Sequence, residues 1–466
     1  MSDLPLIWGE DLQVPLAWRA GLPISRLQYL ADVQALAARL PARGEVLNLS
    51  ADRYRFAVGL GAAMLRGQSN LMPPNHTPNT VASLVKLFPG VHGLVDEGDT
   101  RFALPTLPLV ADIDSRHAGD VQAVRVPHDA VAAQVLTSGS TGNPVPHAKR
   151  WELLVRNTEA GAERLAQHMG RADLVGVSLV ATVPAQHMYG FESSVLVALL
   201  GGAAFDTERP FYPADIVRVV ARVPRPRMLV TTPLHLRTLL ESGLELPPLD
   251  LIVCATAPLS PQLAARAEAA MAAPLMEIYG CTEAGQVATR RTTVGPEWQT
   301  YRGLQLSGNG EHCVISGGHV PQATPLADVL EVLDPQHFRL LGRSNDLINI
   351  AGKRSSLSHL NHHLNMVEGV QDGAMWLPPD KHESSGEVVR MVAFVVAPEL
   401  TREHILAALR RRVDAAFLPR RVVFLPELPR DPTGKLPAAR LAELAAQWLI
   451  DKHGDKPADK PVPSQD

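Results

Sequence analysis

Short apolar runs alternate with amphipathic stretches through the middle of the chain. The runs are rich in β-branched residues, as buried strands are, and the stretches between them place apolar residues at helical spacing. The runs predict strands at Val131–Thr137, Val177–Val183, Arg227–Thr231, Leu249–Cys254 and Leu275–Tyr279. The stretches predict helices at Arg150–His168, Pro213–Val223, Pro233–Ser242 and Ser260–Ala272. Strands that alternate with helices indicate βαβ units in a mostly parallel sheet, and ligands of such sheets bind at the carboxyl ends of the strands.

The two ends of the chain differ from this middle part. Before Val131 the pattern predicts helices at Leu27–Leu40 and Tyr54–Arg66, which would form another layer of the same unit. After Gly318 the pattern becomes β-rich, with predicted strands at Val329–Leu333 and Phe338–Leu341. Beyond Asp346 the predicted elements are strands at Leu347–Ile350, Gly373–Leu377, Val388–Val396 and Arg421–Leu425, and helices at Leu357–Asn365 and Arg402–Ala416.

We therefore expect an α/β fold with a large multi-layer N-terminal α/β domain and a small mobile α+β C-terminal domain. A chain of 466 residues exceeds the size of one ordinary core, which supports more than one domain. The expected boundaries are 1–342 for the large domain, 343–346 for a hinge and 347–450 for the small domain. The last segment, 451–466, is polar and lysine-rich and is expected to be disordered.

Composition narrows the class of protein. Apolar residues make up 46% and charged residues 20% of the chain, as in globular proteins. The net charge of −4 gives no reason to expect nucleic acid as a partner, and the apolar stretch Ser193–Phe205 is too short to insert across a membrane. The N-terminus has no secretory pattern and the three cysteines are widely spaced. We therefore expect a cytoplasmic protein without a disulfide framework or a cysteine zinc site.

A loop of small residues follows the predicted strand Val131–Thr137. Glycines let the backbone approach a ligand, and successive N–H groups can form a nest for an anion. The loop does not match the common G-x-x-x-x-G-K-[ST] nucleotide motif, because neither glycine is followed by lysine at the required position. Taken alone, it fits either a phosphate site or an ordinary turn. The residues are Thr137, Ser138, Gly139, Ser140, Thr141 and Gly142.

Three further segments follow this loop in a recognisable order. The four together are Thr137–Gly142 (TSGSTG), Tyr279–Glu283 (YGCTE), Gly342–Arg354 (GRSNDLINIAGKR) and Leu428–Lys435 (LPRDPTGK). In this order they resemble the adenylate-forming superfamily, which includes acyl- and aryl-CoA synthetases, luciferases and the adenylation domains of peptide synthetases. The resemblance implies a large α/β domain joined by a hinge to a small mobile domain. It also implies activation of a carboxylic acid by ATP as acyl-AMP, with release of pyrophosphate. Transfer to the thiol of phosphopantetheine, on CoA or on an acyl carrier protein, would follow.

The resemblance also implies roles for the nucleotide-site residues. The loop Thr137–Gly142 would cover the β- and γ-phosphates, and Tyr279 would stack on adenine beside Ala257. Thr282 would hydrogen-bond the α-phosphate, and Glu283 would hold Mg²⁺, which favours few carboxylates together with phosphate oxygens. Asp328 would bind the ribose hydroxyls, and Arg343 would complete the ribose and phosphate contacts. From the residues alone, Tyr279 fits a core tyrosine equally well, and Glu283 fits a carboxylate at a helix N-terminus.

Further roles concern the acid and the small domain. Lys435 would swing in for adenylation, where an ammonium meets the carboxylate and the α-phosphate, and Asn345 would be the hinge pivot. His187 would contact the carboxylate or gate the acyl pocket, which Tyr189 and Gly280 would line. Lys435 is also a candidate for an exposed loop lysine, and Asn345 for a simple turn residue.

One departure separates the chain from the family pattern. The family often has Pro-Lys-Gly after the phosphate loop, whereas Pro144-Val145-Pro146 stands here and the next lysine is Lys149. Either Lys149 takes over the phosphate contact or phosphate handling differs. The variant looks most like the AMP-ligases of aryl-polyene and xanthomonadin-type pigment clusters, which implies a hydroxybenzoate or similar aryl acid and an acyl carrier protein. The alternatives are adenylation with a non-thiol acceptor and a catalytically impaired nucleotide- or acyl-binding homologue.

Two clusters have plain alternatives. His359, His362 and His363 have helical spacing that suits a metal, but a solvated helix face explains them as well. The arginines at 410–412 and 420–421 could receive an acidic carrier protein or the phosphates of CoA, or could form a solvated basic face.

Overall fold

The computed structural model describes residues 3–99, 101–109, 124–138, 144–343, 347–350, 353–378, 391–430 and 436–450. The α-helices are α1 Arg26–Arg39, α2 Arg53–Leu65, α3 Pro78–Leu87, α4 Trp151–His168, α5 Met188–Gly190, α6 Val197–Gly201, α7 Pro213–Arg222, α8 Pro233–Glu241, α9 Pro261–Met271, α10 Leu357–Asn365, α11 Arg402–Arg410 and α12 Ala438–Ile450. A π-helical segment, Phe191–Leu196, joins α5 to α6, and a short 3₁₀ helix spans Ala415–Phe417.

The strands are β1 Leu4–Pro5, β2 Pro15–Arg19, β3 Leu22–Ser25, β4 Val46–Asn48, β5 Asn70–Met72, β6 His92–Asp96, β7 Thr106–Leu109, β8 Arg125–Val126, β9 Val131–Ser138, β10 Pro144–Arg150, β11 Ser178–Ala181, β12 Ala204–Asp206, β13 Arg227–Thr231, β14 Leu251–Cys254, β15 Leu275–Cys281, β16 Gly285–Arg290, β17 Glu297–Thr300, β18 Leu304–Ser307, β19 Val314–Gly317, β20 Val320–Pro325, β21 Asp328–Asp334, β22 His337–Arg343, β23 Leu347–Ile350, β24 Lys353–Ser356, β25 Asp372–Trp376, β26 Val392–Val396 and β27 Arg421–Phe424.

One sheet of the large unit carries the loop of small residues. Its strand order is β10-β9-β5-β4-β6-β7. β9 runs parallel to β5 and antiparallel to β10, with Thr137 opposite Val145 and Ser138 opposite Pro144. Thr137 and Ser138 of the predicted phosphate loop therefore belong to β9, and its residues 139–142 lie outside the described part of the chain. Strand β10, with alternating polar residues and two prolines, was not predicted.

The second sheet of the large unit is parallel in its centre and antiparallel towards its edges. Its order is β21-β22-β17-β16-β15-β14-β13-β11-β12-β2-β3. β11, β13, β14 and β15 pair in parallel through helical crossovers, as predicted, and β12, which was not predicted, pairs in parallel with β11. The prediction ended the last of these strands at Tyr279, but β15 continues to Cys281 and returns directly as antiparallel β16. A turn with Gly285 at φ +76° replaces a crossover helix there.

The C-terminal elements form a small unit with its own sheet and core. β25, β26 and β27 pair with one another, and α10, α11 and α12 cover them around two apolar clusters. Helix α11 ends at Arg410 rather than at Ala416, because the Asp414 side chain accepts from Ala416 N at 3.0 Å and starts a separate turn. The α/β class and the division into a large and a small part are confirmed by the architecture. The residue boundaries of the domains stay a prediction, and Ser344–Asp346 of the expected hinge lie outside the described residues.

One carboxylate links the small unit to the large one. Asp372 accepts from Arg430 Nε and Nη2 at 2.7 and 2.8 Å, and Arg237 of α8 lies 3.6 Å from the same carboxylate. Asp372 is buried. None of the helices among the described residues combines the length and apolarity that crossing a bilayer requires.

Candidate active site

The turn between β15 and β16 carries Thr282 and Glu283. Gly280 lies at a β-bulge beside it, and a Cβ at that position would stand 2.4 Å from the carbonyl oxygen of Gly285. The backbone is therefore closed tightly on itself, which only glycine permits. Glu283 is exposed at the tip and Thr282 is half-buried. The alternative interpretation of Glu283 as a helix N-terminal carboxylate is wrong, because the residue lies in a turn between strands.

Tyr279 and Asp328 meet directly, although 49 residues separate them. The tyrosine hydroxyl donates to Asp328 Oδ2 at 2.6 Å, and both residues are buried. The ring centroids of Trp298 and Phe338 lie 5.8 and 5.5 Å from that of Tyr279. Trp298 and Phe338 thus pack against the Tyr279 ring, and the Tyr279 hydroxyl orients the Asp328 carboxylate that is expected to bind the ribose.

Arg343 lies opposite Asp328 in the pairing of β21 with β22. The expected ribose residues are therefore neighbours across two antiparallel strands, at the point where β22 leads to the expected hinge. Asn345, Lys435 and Gly139, Ser140, Thr141 and Gly142 lie outside the described residues, so their roles stay predictions.

The expected adenine-side segment follows β14. Ala257 is half-buried in the loop that starts at the carboxyl end of this strand, and β14 pairs in parallel with β15, the strand of Tyr279. Thr256 adopts φ +83°, an unfavourable conformation for a β-branched residue. Such strain costs about 1–3 kcal/mol and concentrates at functional sites. No sequence pattern predicts this backbone conformation at Thr256.

The expected acyl-pocket segment begins where β11 ends. His187 precedes α5 and is half-buried, and the Tyr189 hydroxyl donates to the carbonyl oxygens of Thr231 and Val253 at 3.1 and 3.0 Å. The phenol oxygen of Tyr189 is thus engaged with the ends of β13 and β14. A Cβ on Gly190 would stand 2.0 Å from the Pro184 carbonyl oxygen, so this turn also depends on glycine.

A buried arginine from the first helices holds the same segment. Arg53 Nη1 donates to Ser194 Oγ at 2.6 Å, and Nη2 donates to the carbonyl oxygens of Ala181 and Val183 at 3.0 and 2.9 Å. Burial lowers the pKa of Arg53 to about 10. Its partners lie more than a hundred residues away in the chain, so local sequence patterns cannot reveal it.

A polar layer lies beneath the Thr282–Glu283 turn. Lys149 of β10 donates through Nζ to the carbonyl oxygen of Thr282 and, at 3.5 Å, to that of Glu283. Glu192, in the π-helical segment, is 4% exposed and accepts from Asn157 Nδ2 at 2.5 Å. Burial raises the pKa of Glu192 to about 7, against the opposing effects of Lys149 and Asn157. Glu192 was not among the predicted site residues, although a carboxylate inside an apolar run is a signal that could have found it.

The other two clusters occupy the small unit. The rings of His359 and His363 are 4.5 Å apart, and His362 and His363 are half-buried, so the cluster is less solvated than a free helix face. Among the described residues no group of three or more His, Cys, Asp or Glu side chains suits a metal. Arg411 and Arg412 are exposed and border a cavity of about 400 Å³ together with His404 and Glu368.

Comparisons with known proteins agree with the family resemblance of the four motifs. Residues 65–325, more than half of the chain, match the family described as AMP-binding enzyme. A 4-coumarate–CoA ligase of Rhodobacter capsulatus is 29% identical over 319 residues, which cover 68% of this chain and 76% of the relative.

Two solved structures show the same fold. ATP-bound MatB from Rhodopseudomonas palustris superposes with a TM-score of 0.76 at 17% identity, covering 94% of this chain and 97% of that one. The anthranilate CoA ligase AuaEII in complex with anthranoyl-AMP superposes with a TM-score of 0.73 at 15% identity, covering 95% of this chain and 98% of that one.

Proposed function

The chain belongs to the AMP-binding enzyme family, and we propose that within it the protein activates an aryl carboxylic acid and passes it to a phosphopantetheine thiol. The general activity of the protein is that of an AMP-forming acid–thiol ligase that uses ATP. We propose more specifically that the acid is a hydroxybenzoate or a similar aryl acid and that the favoured acceptor is an acyl carrier protein, with CoA as the other acceptor.

The observation that carries the nucleotide assignment is the contact between Tyr279 and Asp328. With Arg343 opposite Asp328, the residues expected at adenine and ribose gather beside the turn that carries Thr282 and Glu283. ATP bound there would bring its α-phosphate to this turn. Thr282 then donates a hydrogen bond to the α-phosphate, and Lys435 neutralises charge as the acid's carboxylate attacks in line and pyrophosphate leaves.

Glu283 suits a magnesium ion that is held mainly by phosphate oxygens. It is an exposed carboxylate at the tip of the turn, and Mg²⁺ in nucleotide sites keeps one or two protein carboxylates. The ion would neutralise charge on the phosphates. The protein's own contribution is to fix the turn, orient the nucleotide and exclude water from the mixed anhydride.

The aryl preference and the carrier protein have separate support. 4-Coumarate and anthranilate, named in the relatives above, are aryl or aryl-substituted acids. The exposed Arg411 and Arg412 offer a positive surface, and an acidic carrier protein would complement it.

ATP–pyrophosphate exchange across hydroxybenzoates, cinnamates, anthranilate and medium-chain fatty acids tests the acid. Exchange with the hydroxybenzoates at the highest kcat/KM is expected, and a preference for fatty acids would contradict the aryl assignment. Thioester formation with holo carrier protein and with CoA, compared at equal concentration, tests the acceptor. Exchange without a thioester on either thiol would favour the non-thiol acceptor, and ATP binding without exchange would favour an impaired homologue.

A further inference from the structure

Lys149 contacts protein in this structure, at the turn expected to meet the phosphates. Its Nζ donates to the backbone carbonyl oxygens of Thr282 and Glu283. Val145, which stands where the family often has lysine, is 45% exposed on the same strand. The ammonium of β10 thus joins the hairpin below the phosphate loop to the turn between β15 and β16.

The far side of the same turn is held by the polar layer. Gly285 abuts Glu192 so closely that a Cβ there would lie 2.8 Å from Glu192 Oε1. Gln286 Nε2 donates to Ser193 Oγ at 3.0 Å, and His319 Nε2 lies 2.8 Å from the Gln286 carbonyl oxygen. The backbone of Thr282 and Glu283 is therefore fixed on one side of the turn and that of Gly285 and Gln286 on the other, while the Glu283 side chain is exposed.

Lys149 and Glu192 contact the same turn from its two sides. Lys149 Nζ donates to the carbonyl oxygens of Thr282 and Glu283, whereas Glu192 Oε1 lies against Gly285 at the end of the turn. Asn157 Nδ2 donates to Glu192 Oε1 at 2.5 Å and holds this carboxylate in place. The two side chains therefore support different parts of the turn.

We propose that Lys149 and Glu192 are positioning residues: Lys149 fixes the backbone of Thr282 and Glu283, and Glu192 supports Gly285 at the end of the same turn, so that the turn presents hydroxyl and carboxylate to Mg·ATP. The inference rests on the proposed roles of Thr282 and Glu283. In this proposal Lys149 binds the backbone of the turn and does not contact a phosphate of ATP.

Equilibrium ATP binding, with Mg²⁺ and in EDTA, separates the two roles without requiring turnover. For Lys149→Met, a positioning role predicts an ATP affinity in EDTA within about twofold of that of the wild type. It also predicts that Mg²⁺ increases the ATP affinity of this variant much less than it increases that of the wild type. A direct phosphate contact predicts weaker ATP binding in EDTA with AMP binding unchanged, and this result would overturn the inference. Lys149→Arg should recover part of the Mg²⁺-dependent increase in ATP affinity, because a guanidinium can also donate to carbonyl oxygens.

Glu192→Gln keeps an acceptor for Asn157 and the packing against Gly285, so it should keep most of the Mg²⁺-dependent increase in ATP affinity. Glu192→Ala removes both contacts and should lose part of that increase. An unchanged increase in Glu192→Ala would contradict the positioning role of Glu192. The control is Arg150→Met, an exposed cation on the same strand, which should bind as the wild type does.

Exchange kinetics add a second readout. In Lys149→Met, kcat should fall about 10- to 100-fold, since misplacement by about an ångström has this effect on a reaction, and the KM for Mg·ATP should rise in step with the loss of Mg²⁺-dependent affinity. A wild type without exchange for any acid would refute the proposed function, while the Mg²⁺ comparison would still decide the positioning role. Melting temperatures of the variants exclude unfolding as the cause.

Discussion

Gly280→Ala is expected to displace the turn that carries Thr282 and Glu283. The new Cβ would stand 2.4 Å from the Gly285 carbonyl oxygen and 3.1 Å from the Gln286 Cα. Both obstacles are backbone, so no flexible side chain can move aside. Real Cβ atoms stay at least 3.0 Å away, so the oxygen must retreat from 2.4 to 3.0 Å, about 0.6 Å.

This displacement has a cost in stability and a larger one in activity. Overpacking by one methyl group in a tight site destabilises by about 1–3 kcal/mol. A misplacement of about 1 Å at reacting groups costs on the order of a hundredfold in rate, so a shift of about 0.6 Å should cost about tenfold or more. We expect Gly280→Ala to lower kcat for ATP–pyrophosphate exchange by about 10- to 100-fold and to lower the melting temperature by a few degrees.

The matched control is Gly295→Ala. A Cβ at Gly295 meets nothing within 4 Å, so this variant should exchange and melt as the wild type does. Both variants add one methyl group to the large unit. If Gly280→Ala exchanged at the rate of Gly295→Ala, either the turn would yield without cost or its backbone would not set the phosphate contacts.

Three further variants test an expected catalytic lysine, one hydrogen bond and one buried histidine. Lys435→Ala should abolish exchange while ATP affinity, measured by calorimetry, stays near that of the wild type, because the lysine is expected to act on developing charge; unchanged exchange would reject the role. Tyr279→Phe removes the donor to Asp328 Oδ2 and should destabilise by about 1.5–3 kcal/mol and raise the KM for ATP; an unchanged KM would separate Asp328 from the ribose. Burial lowers the pKa of His235 to about 4, so His235 stabilises the fold above pH 6.5 and this contribution, at most about 3 kcal/mol, is lost as pH falls to 4. His235→Gln should flatten the decline of the melting temperature over that range, and an equally steep decline would contradict the assignment.

The regular elements were predictable because their signals are local. Helix α10 begins and ends at the predicted residues, since Ser356 caps its first turn and apolar residues recur at helical spacing. Strand β13 matches its prediction as well. Strand β10 was missed because it lies at a sheet edge, where prolines and polar residues are tolerated and the apolar alternation disappears.

The candidate site was predictable only where a motif names the residue. Tyr279 and Glu283 were predicted from the order of motifs and Asp328 from its spacing before Arg343, whereas the contact of Tyr279 with Asp328 depends on strand pairing that no local pattern specifies. Arg53 and Glu192 carry no motif. Their importance comes from burial and from partners in distant segments, both of which are properties of the folded chain.

The Asp372 carboxylate has an asymmetric consequence for the two units. Arg430 belongs to the same unit as Asp372 and would travel with it, whereas Arg237 belongs to α8 and would stay behind. Separation of the units would thus break one contact of 3.6 Å and leave the bidentate one intact. Salt screens partly buried ion pairs less than exposed ones. The equilibrium between the joined and the separated large and small units should therefore respond only weakly to ionic strength. That equilibrium would depend strongly on whether residue 237 carries a positive charge.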